Sequence, residues 1–187
     1  GAIPPRLIKD FQIPDELLVA RAKSARMVSP SGKAVDIPIE NGFVGMVDRA
    51  QFDEWLRERA VTAGAEREDG LFESLTRENS NVRIHYRARG ARDSDHGSLK
   101  SVLAKSVIGA DGAKSQVGRS AGVKGCAEAN YVFAYHEIIK TPQDAPSSFD
   151  ASRCDVLYQQ PVSPDFYGWV FPHGDTISVG TGSADKG

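Results

Sequence analysis

Cysteine, charge of one sign and long apolar runs are what this chain of 187 residues has least of. Its two cysteines, Cys126 and Cys154, show no CxxC spacing and have no histidine cluster beside them. That excludes a structural zinc site and leaves both as free thiols of a reducing compartment. The four histidines, His85, His96, His136 and His173, nowhere pair at metal-ligand spacing and are read as structural or surface positions. No stretch reaches the roughly 18 apolar residues of a membrane span, and GAIPPRLIKDF carries no apolar signal core. Net charge is −2, from 23 basic and 25 acidic residues, so nothing electrostatic argues for nucleic acid as a partner. There is no P-loop, no GxSxG elbow and no GxGxxG after a strand. Asp15-Glu16 and Asp53-Glu54 are sequence neighbours, and neighbours on a helix do not face each other. The chain also begins without Met, and it is expected to be an internal piece of a longer protein.

What is present suits a strand-rich α+β fold. The segment PDELLVARAKSAR has a helical pattern, with Leu17, Leu18 and Arg21 along one face. RMVSPSGKAVDIPI reads as a hairpin around Pro30, Ser31 and Gly32, and GFVGMV as a short strand. DRAQFDEWLRERAVTAG predicts a helix over 48–63. Asp48 caps it, Gln51 completes a capping box, and Phe52, Trp55, Leu56, Ala60 and Ala63 form the buried stripe. Asp53 is placed to pair with Arg57. Residues 65–77, 81–89 and 98–108 read as a meander, with GARDSDHG between the last two strands. YVFAYHEIIK and DVLYQQP are further strands, separated by TPQDAPSSFDASR, which is expected to be flexible.

Three stretches can carry chemistry. In VIGADGAKS a strand is expected to run into a Gly-Asp-Gly turn, with a helix beginning near Ala113. Glycine lets backbone approach a ligand, and a helix start offers N–H groups to phosphate. The ordinary alternative is a strand–turn–helix in which Asp111 is simply the helix cap. Arg49 stands in the first turn of the best helix, where the dipole disfavours a cation and an anion nearby would offset the cost. In FYGWVFP, Tyr167, Trp169 and Phe171 alternate and share one face of a strand. Such a face is commonly core, but Trp and Tyr bring polar atoms that a dry core must satisfy, and Gly168, Gly180 and Gly182 leave room beside the rings.

In this order, the VDR-initiated helix, VIGADGAKS and SPDFYGWVFP...ISVGTG resemble the flavin-dependent geranylgeranyl reductases of the chlorophyll and bacteriochlorophyll branch. GAIPPRLIKDF and RMVSPSGKAVDI are similar to its bacterial members, so the resemblance covers essentially the whole chain. SPDFYGWVFP is its most specific motif, whereas GADG is shared with flavin monooxygenases of the para-hydroxybenzoate hydroxylase type. Gly118 followed by Arg119, three and four places after Ser115, fits the prenyl reductases better than the hydroxylases.

The resemblance implies an α+β flavoprotein of para-hydroxybenzoate hydroxylase-like fold. Residues 1–125 would supply segments of an FAD-binding α/β domain with an inserted hairpin, and 126–187 a mixed or antiparallel substrate-binding sheet. It implies FAD and NADPH as cofactors. Arg49 would contact the flavin nucleotide, Asp111 and Gly112 would lie at the FAD pyrophosphate region and the NADPH route, and Tyr167, Trp169, Phe171 and Pro172 would line a prenyl cavity. The implied reaction saturates three of the four double bonds of a geranylgeranyl chain, carried by a chlorophyll-type pigment or by diphosphate, to give phytyl. The upstream GxGxxG unit, a downstream Gly-Asp segment and a cysteine before GGAIP are expected outside residues 1–187. A cytoplasmic protein in peripheral contact with a photosynthetic membrane is the expected location. The motifs assign neither a proton donor nor an oligomeric state.

An isolated alkene is a poor hydride acceptor, so the cofactor must supply the electrons and the protein position and a proton. Rings at alternate positions give a rigid wall along which a chain can slide. Two other readings stay open: an aromatic-ring flavin monooxygenase, against which the uncharged stretch from Phe166 to Pro172 argues, and a non-catalytic domain that binds an apolar ligand.

Overall fold

The structure, a computed structural model, describes residues 1–89, 97–126, 128–144 and 146–184. Of the expected turn GARDSDHG, only Gly97 is among them, so His96 lies outside the described residues. In chain order the elements are β1 (Ala2–Ile3), α1 (Pro5–Asp10), β2 (Leu18–Ala22), β3 (Ser24–Val28), β4 (Ala34–Pro38), β5 (Val44–Val47) and α2 (Arg49–Thr62). There follow β6 (Gly70–Glu78), β7 (Asn81–Ala88), β8 (Leu99–Ala104), α3 (Gln116–Ser120), β9 (Phe133–Lys140), β10 (Arg153–Leu157), β11 (Gly168–His173) and β12 (Thr176–Ser183). The chain divides into two compact units, Gly1–Thr62 with Val132–Gly187, and Ala63–Tyr131.

The first unit holds two sheets. One is β1-β5-β2, and the other is six-stranded in the order β4-β3-β10-β11-β12-β9. The larger sheet is mixed, because β3 and β10 pair parallel and the remaining pairs are antiparallel. It joins the β3–β4 hairpin of the first forty residues to strands from the last sixty. The core falls in two clusters. Ile3, Ile13, Val47 and Phe52 form one, and Ala22, Met46 and Cys154 form the other, with Phe171 packed against it.

The helix expected over PDELLVARAKSAR is instead a 3-10 turn, Asp15–Leu17, followed by β2 and then β3. Tertiary pairing overrides local pattern here. β2 pairs with β5 and buries Ala22 completely, while β3 pairs with β10, and Lys23 between them donates its N–H to the Ser152 carbonyl at 2.7 Å. Helix α2 forms as expected, with Ala50 N–H donating to Asp48 Oδ1 at 2.9 Å. Its buried stripe is shorter than expected. Phe52 is buried and Trp55 half-buried with stacked rings, whereas Leu56, Ala60 and Ala63 are exposed. The expected Asp53–Arg57 pair is also replaced: Asp53 binds Arg49, and Arg57 binds Glu54. The expected hairpin, the short strand β5 and the late strands all form.

The end of the loop before β10 is tied to the strand by polar bonds. Asp150 accepts from Ser152 N–H at 2.8 Å, and the buried Arg153 donates to the Ser148 carbonyl at 2.7 Å. In the second unit the expected meander is β6-β7-β8, with a register shift between Phe72 and Ser74. Its last strand stops at Ala104, so residues 105–115 are irregular, and α3 starts at Gln116 rather than near Ala113. Among the described residues no helix is long and apolar enough to cross a membrane.

Candidate functional site

SPDFYGWVFP is pinned to β12 by its polar residues. Ser163 is buried, donates its hydroxyl to the Gly182 carbonyl at 2.6 Å and accepts from Phe166 N–H at 2.9 Å. Asp165 accepts from Ser183 Oγ at 2.8 Å and from Ala184 N–H at 2.9 Å. With both ends of this loop tied, Phe166 and Tyr167 stack at 4.1 Å, and Tyr167 meets Trp169 edge-on at 6.0 Å.

A two-residue turn, Gly174-Asp175, joins β11 to β12 and fixes their register: His173 faces Thr176, Phe171 faces Ser178, and Trp169 faces Gly180. The indole of Trp169 lies over Gly180, where a Cβ would come 2.6 Å from His136 Cβ and closer still to the indole ring. Glycine is therefore required there for close approach. Trp169 Nε1 donates to Ser178 Oγ at 3.2 Å, and Ser178 Oγ lies 3.4 Å from His136 Nδ1. The polar atom of the indole is thus satisfied by its own sheet.

These side chains open onto a cleft of about 320 Å³ that Trp169, Phe171, His173, His136, Ser178 and Arg49 help to line. Arg49 binds Asp53 through two bonds, Nε to Oδ1 at 2.7 Å and Nη2 to Oδ2 at 2.9 Å. The anion that offsets the helix dipole at Arg49 is Asp53. The bond from Arg49 holds the Asp53 carboxyl below its ordinary pKa, and Asp53 raises that of Arg49. A guanidinium has five N–H donors, and this pair uses two. The Arg49 side chain is 68% exposed, so the others can meet an anionic ligand. His173 has a buried Nδ1 with no hydrogen-bond partner, and burial lowers its pKa, which favours the neutral imidazole.

The other residues singled out by the sequence are placed as follows. Phe171 reaches the cleft but also packs on the Ala22–Met46–Cys154 core. Pro172 is fully buried and, by alternation, points to the opposite face of β11. Asp111 and Gly112 belong to the second unit. The Asp111 carboxylate caps α3: it accepts from Gln116 N–H at 2.6 Å, Val117 N–H at 3.0 Å and the Ser115 hydroxyl. The Ser115 hydroxyl first, then these backbone bonds, hold its pKa below the usual carboxylate value. Gly112 has φ +79° and open space beside it, a conformation that suits glycine and leaves the turn free of side chain. His136 and His173, expected as structural or surface positions, and Ser178, which no sequence motif marks, also line the Trp169 cleft. Ser178 and His173 follow from the two-residue turn, but His136 needs the long-range β9–β12 pairing.

The chain matches the model of an FAD-binding domain over residues 21–176, and it belongs to that family. Within the first unit, Arg49 keeps N–H donors beside an open cleft, which suits an anionic group of such a cofactor.

The chain is 54% identical over 183 residues to a geranylgeranyl diphosphate reductase of Rhodobacter capsulatus, covering 98% of this chain and 44% of that protein. It is 36% identical over 190 residues to the chloroplastic geranylgeranyl diphosphate reductase of Oryza sativa, covering 98% and 40%. It therefore spans less than half the length of these curated relatives. Among solved structures, p-nitrophenol 4-monooxygenase from Pseudomonas putida superposes with a TM-score of 0.68 at 12% identity, covering 97% of this chain and 47% of that one. The fold is the expected para-hydroxybenzoate hydroxylase-like flavoprotein fold, with mixed sheets and few helices.

Proposed function

We propose that this chain is part of an enzyme that uses FAD and NADPH to reduce the geranylgeranyl chain of a diphosphate or of a chlorophyll-type pigment to phytyl. The observation that carries this reading is the 54% identity to a geranylgeranyl diphosphate reductase over the stretch that builds the aromatic cleft. A reduced flavin held at Arg49 would provide the hydride chemistry for one alkene carbon, the other carbon taking a proton.

The chain's own residues do the rest. Tyr167 and Trp169 form a rigid wall against which an alkene is held, and Phe171 joins that wall to the core. Each CH₂ of substrate buried on such a surface is worth about 0.8 kcal/mol. Pro172, on the far face of β11, keeps the strand backbone in place. Arg49, oriented by Asp53, holds an anionic part of the flavin nucleotide. Asp111 braces the Gly112 turn so that backbone can meet the pyrophosphate and the NADPH route stays open. The FAD-binding segments lie within residues 1–125 and the substrate sheet is built mainly from 126–187. A lipid-like substrate brings the enzyme into peripheral contact with a membrane.

The test is anaerobic turnover of geranylgeranyl diphosphate by the full-length protein with NADPH, read by mass spectrometry and with flavin content measured. Bound FAD and products that gain hydrogen two atoms at a time support the proposal. No reduced product despite bound FAD, or a protein that binds isoprenoid without flavin, would contradict it.

A further inference from the structure

The six-stranded sheet has two unlike faces. On one, Arg26 forms two bonds to Asp36 at 2.7 and 2.8 Å, and Arg153 binds Asp155 at 2.6 Å. On the other, the registers place Trp169 opposite Val156, Val156 opposite Met27, and Met27 opposite Val35. Paired residues share a face, so this row runs across β11, β10, β3 and β4 and is apolar throughout. It starts at the cleft and ends on an open surface, where Val35 is 58% exposed and Ile37, on the same face, 49%. A contiguous apolar face of this kind marks a place where something apolar rests.

Resting on the reductase reading above, we propose that the isoprenoid lies across the strands rather than along β11, with about one isoprene unit on each of the four strands. Two dimensions favour this path. Strands are spaced about 4.8 Å apart. An isoprene unit adds four chain bonds, about 5 Å when extended, taking the reach per bond from an extended peptide. Four units therefore match four strands. Along β11 the stripe from Tyr167 to Phe171 covers only about 13 Å, and its Phe171 end is closed by the Ala22–Met46–Cys154 core. In this arrangement the β3–β4 hairpin holds the units farthest from the cleft, and it decides how long a chain the enzyme grips.

The test compares geranyl, farnesyl and geranylgeranyl diphosphates as substrates of the full-length enzyme carrying Val35→Glu, Val35→Ser or, on the opposite face of the same strand, Ala34→Glu. The expected result is a rise in KM of tenfold or more for geranylgeranyl with Val35→Glu and of severalfold with Val35→Ser. Geranyl, too short to reach β4, should change less than twofold, and Ala34→Glu should leave all three unaffected. A Val35 effect equal for every chain length, no effect at all, or an equal effect from Ala34→Glu overturns the path. Length-independent loss with lowered stability would mean that protein, not substrate, covers this face. If the wild-type enzyme reduces none of the three, the reductase reading fails instead.

Discussion

Gly180→Ala tests the packing behind the aromatic wall. Taken alone, Gly→Ala in a strand stabilises by about 0.5–1 kcal/mol, because the unfolded chain has less freedom to lose. At this position the new methyl would meet the Trp169 ring and stand 2.6 Å from His136 Cβ. Position 180 is flanked by Trp169 of β11 on one side and His136 of β9 on the other, inside a six-stranded sheet, so the backbone cannot yield much. Overpacking of this kind costs about 1–3 kcal/mol. If the indole swings away, its bond to Ser178 is lost as well, at about 1 kcal/mol. The net expectation is a loss of roughly 1–3 kcal/mol, opposite in sign to the intrinsic effect. Urea unfolding with an unchanged m-value would read the loss, and near-UV circular dichroism would read the displaced indole. A variant as stable as wild type or more so, with an unaltered near-UV spectrum, would refute the packing.

Other expectations concern the charged and sulfur groups. Arg153→Met leaves Asp155, which is 24% exposed, without its partner and should cost about 2–3 kcal/mol by urea midpoint, most of it from the stranded carboxylate. Burial, then Asp155, pushes the Cys154 thiol up to about 11. Its folded pKa exceeds the unfolded value of about 8.5, so the stability it contributes is full below that pH and is lost as pH rises towards 11. At pH 8, iodoacetamide should label the half-buried Cys126 and spare Cys154 until the protein unfolds, as peptide mass spectrometry would show. Arg49→Ala should weaken FAD binding by tenfold or more with little change in melting temperature, and Arg49→Lys should restore little of it, since one ammonium cannot reproduce a fork held by Asp53. Asp53 has a depressed pKa, so whatever stability that pair adds is present above about pH 4 and fades as pH falls below it.

Period-two and turn signals made most of the strands legible: the hairpin at Gly32, the meander, and the aromatic strand with its return all follow from them. The failure at residues 14–26 is instructive. Leu17, Leu18 and Arg21 sit at helical spacing, yet Ala22 is buried between β5 and β10, a partnership between segments more than a hundred residues apart that no local pattern reveals. The Asp48 cap of helix α2 is legible in the sequence, but the apolar spacing overstates its buried face, since Leu56, Ala60 and Ala63 are exposed. At Arg49 the helix dipole calls for a nearby anion, and Asp53 answers it at i,i+4, a spacing at which Arg57 competes equally in the sequence. The rings of the stripe were visible as a pattern. Their division of labour was not, because Phe171 meets the core through residues of β2 and β5 while Trp169 is seated by Ser178 and Gly180.

The most direct test of the aromatic wall is the product distribution of full-length Trp169→Ala against wild type, with geranylgeranyl diphosphate and NADPH under anaerobic conditions. The account predicts a folded variant with much lower turnover that releases partly reduced chains, because the alkene is no longer held against a rigid face. A folded variant that reduces the same double bonds at the wild-type rate would contradict it.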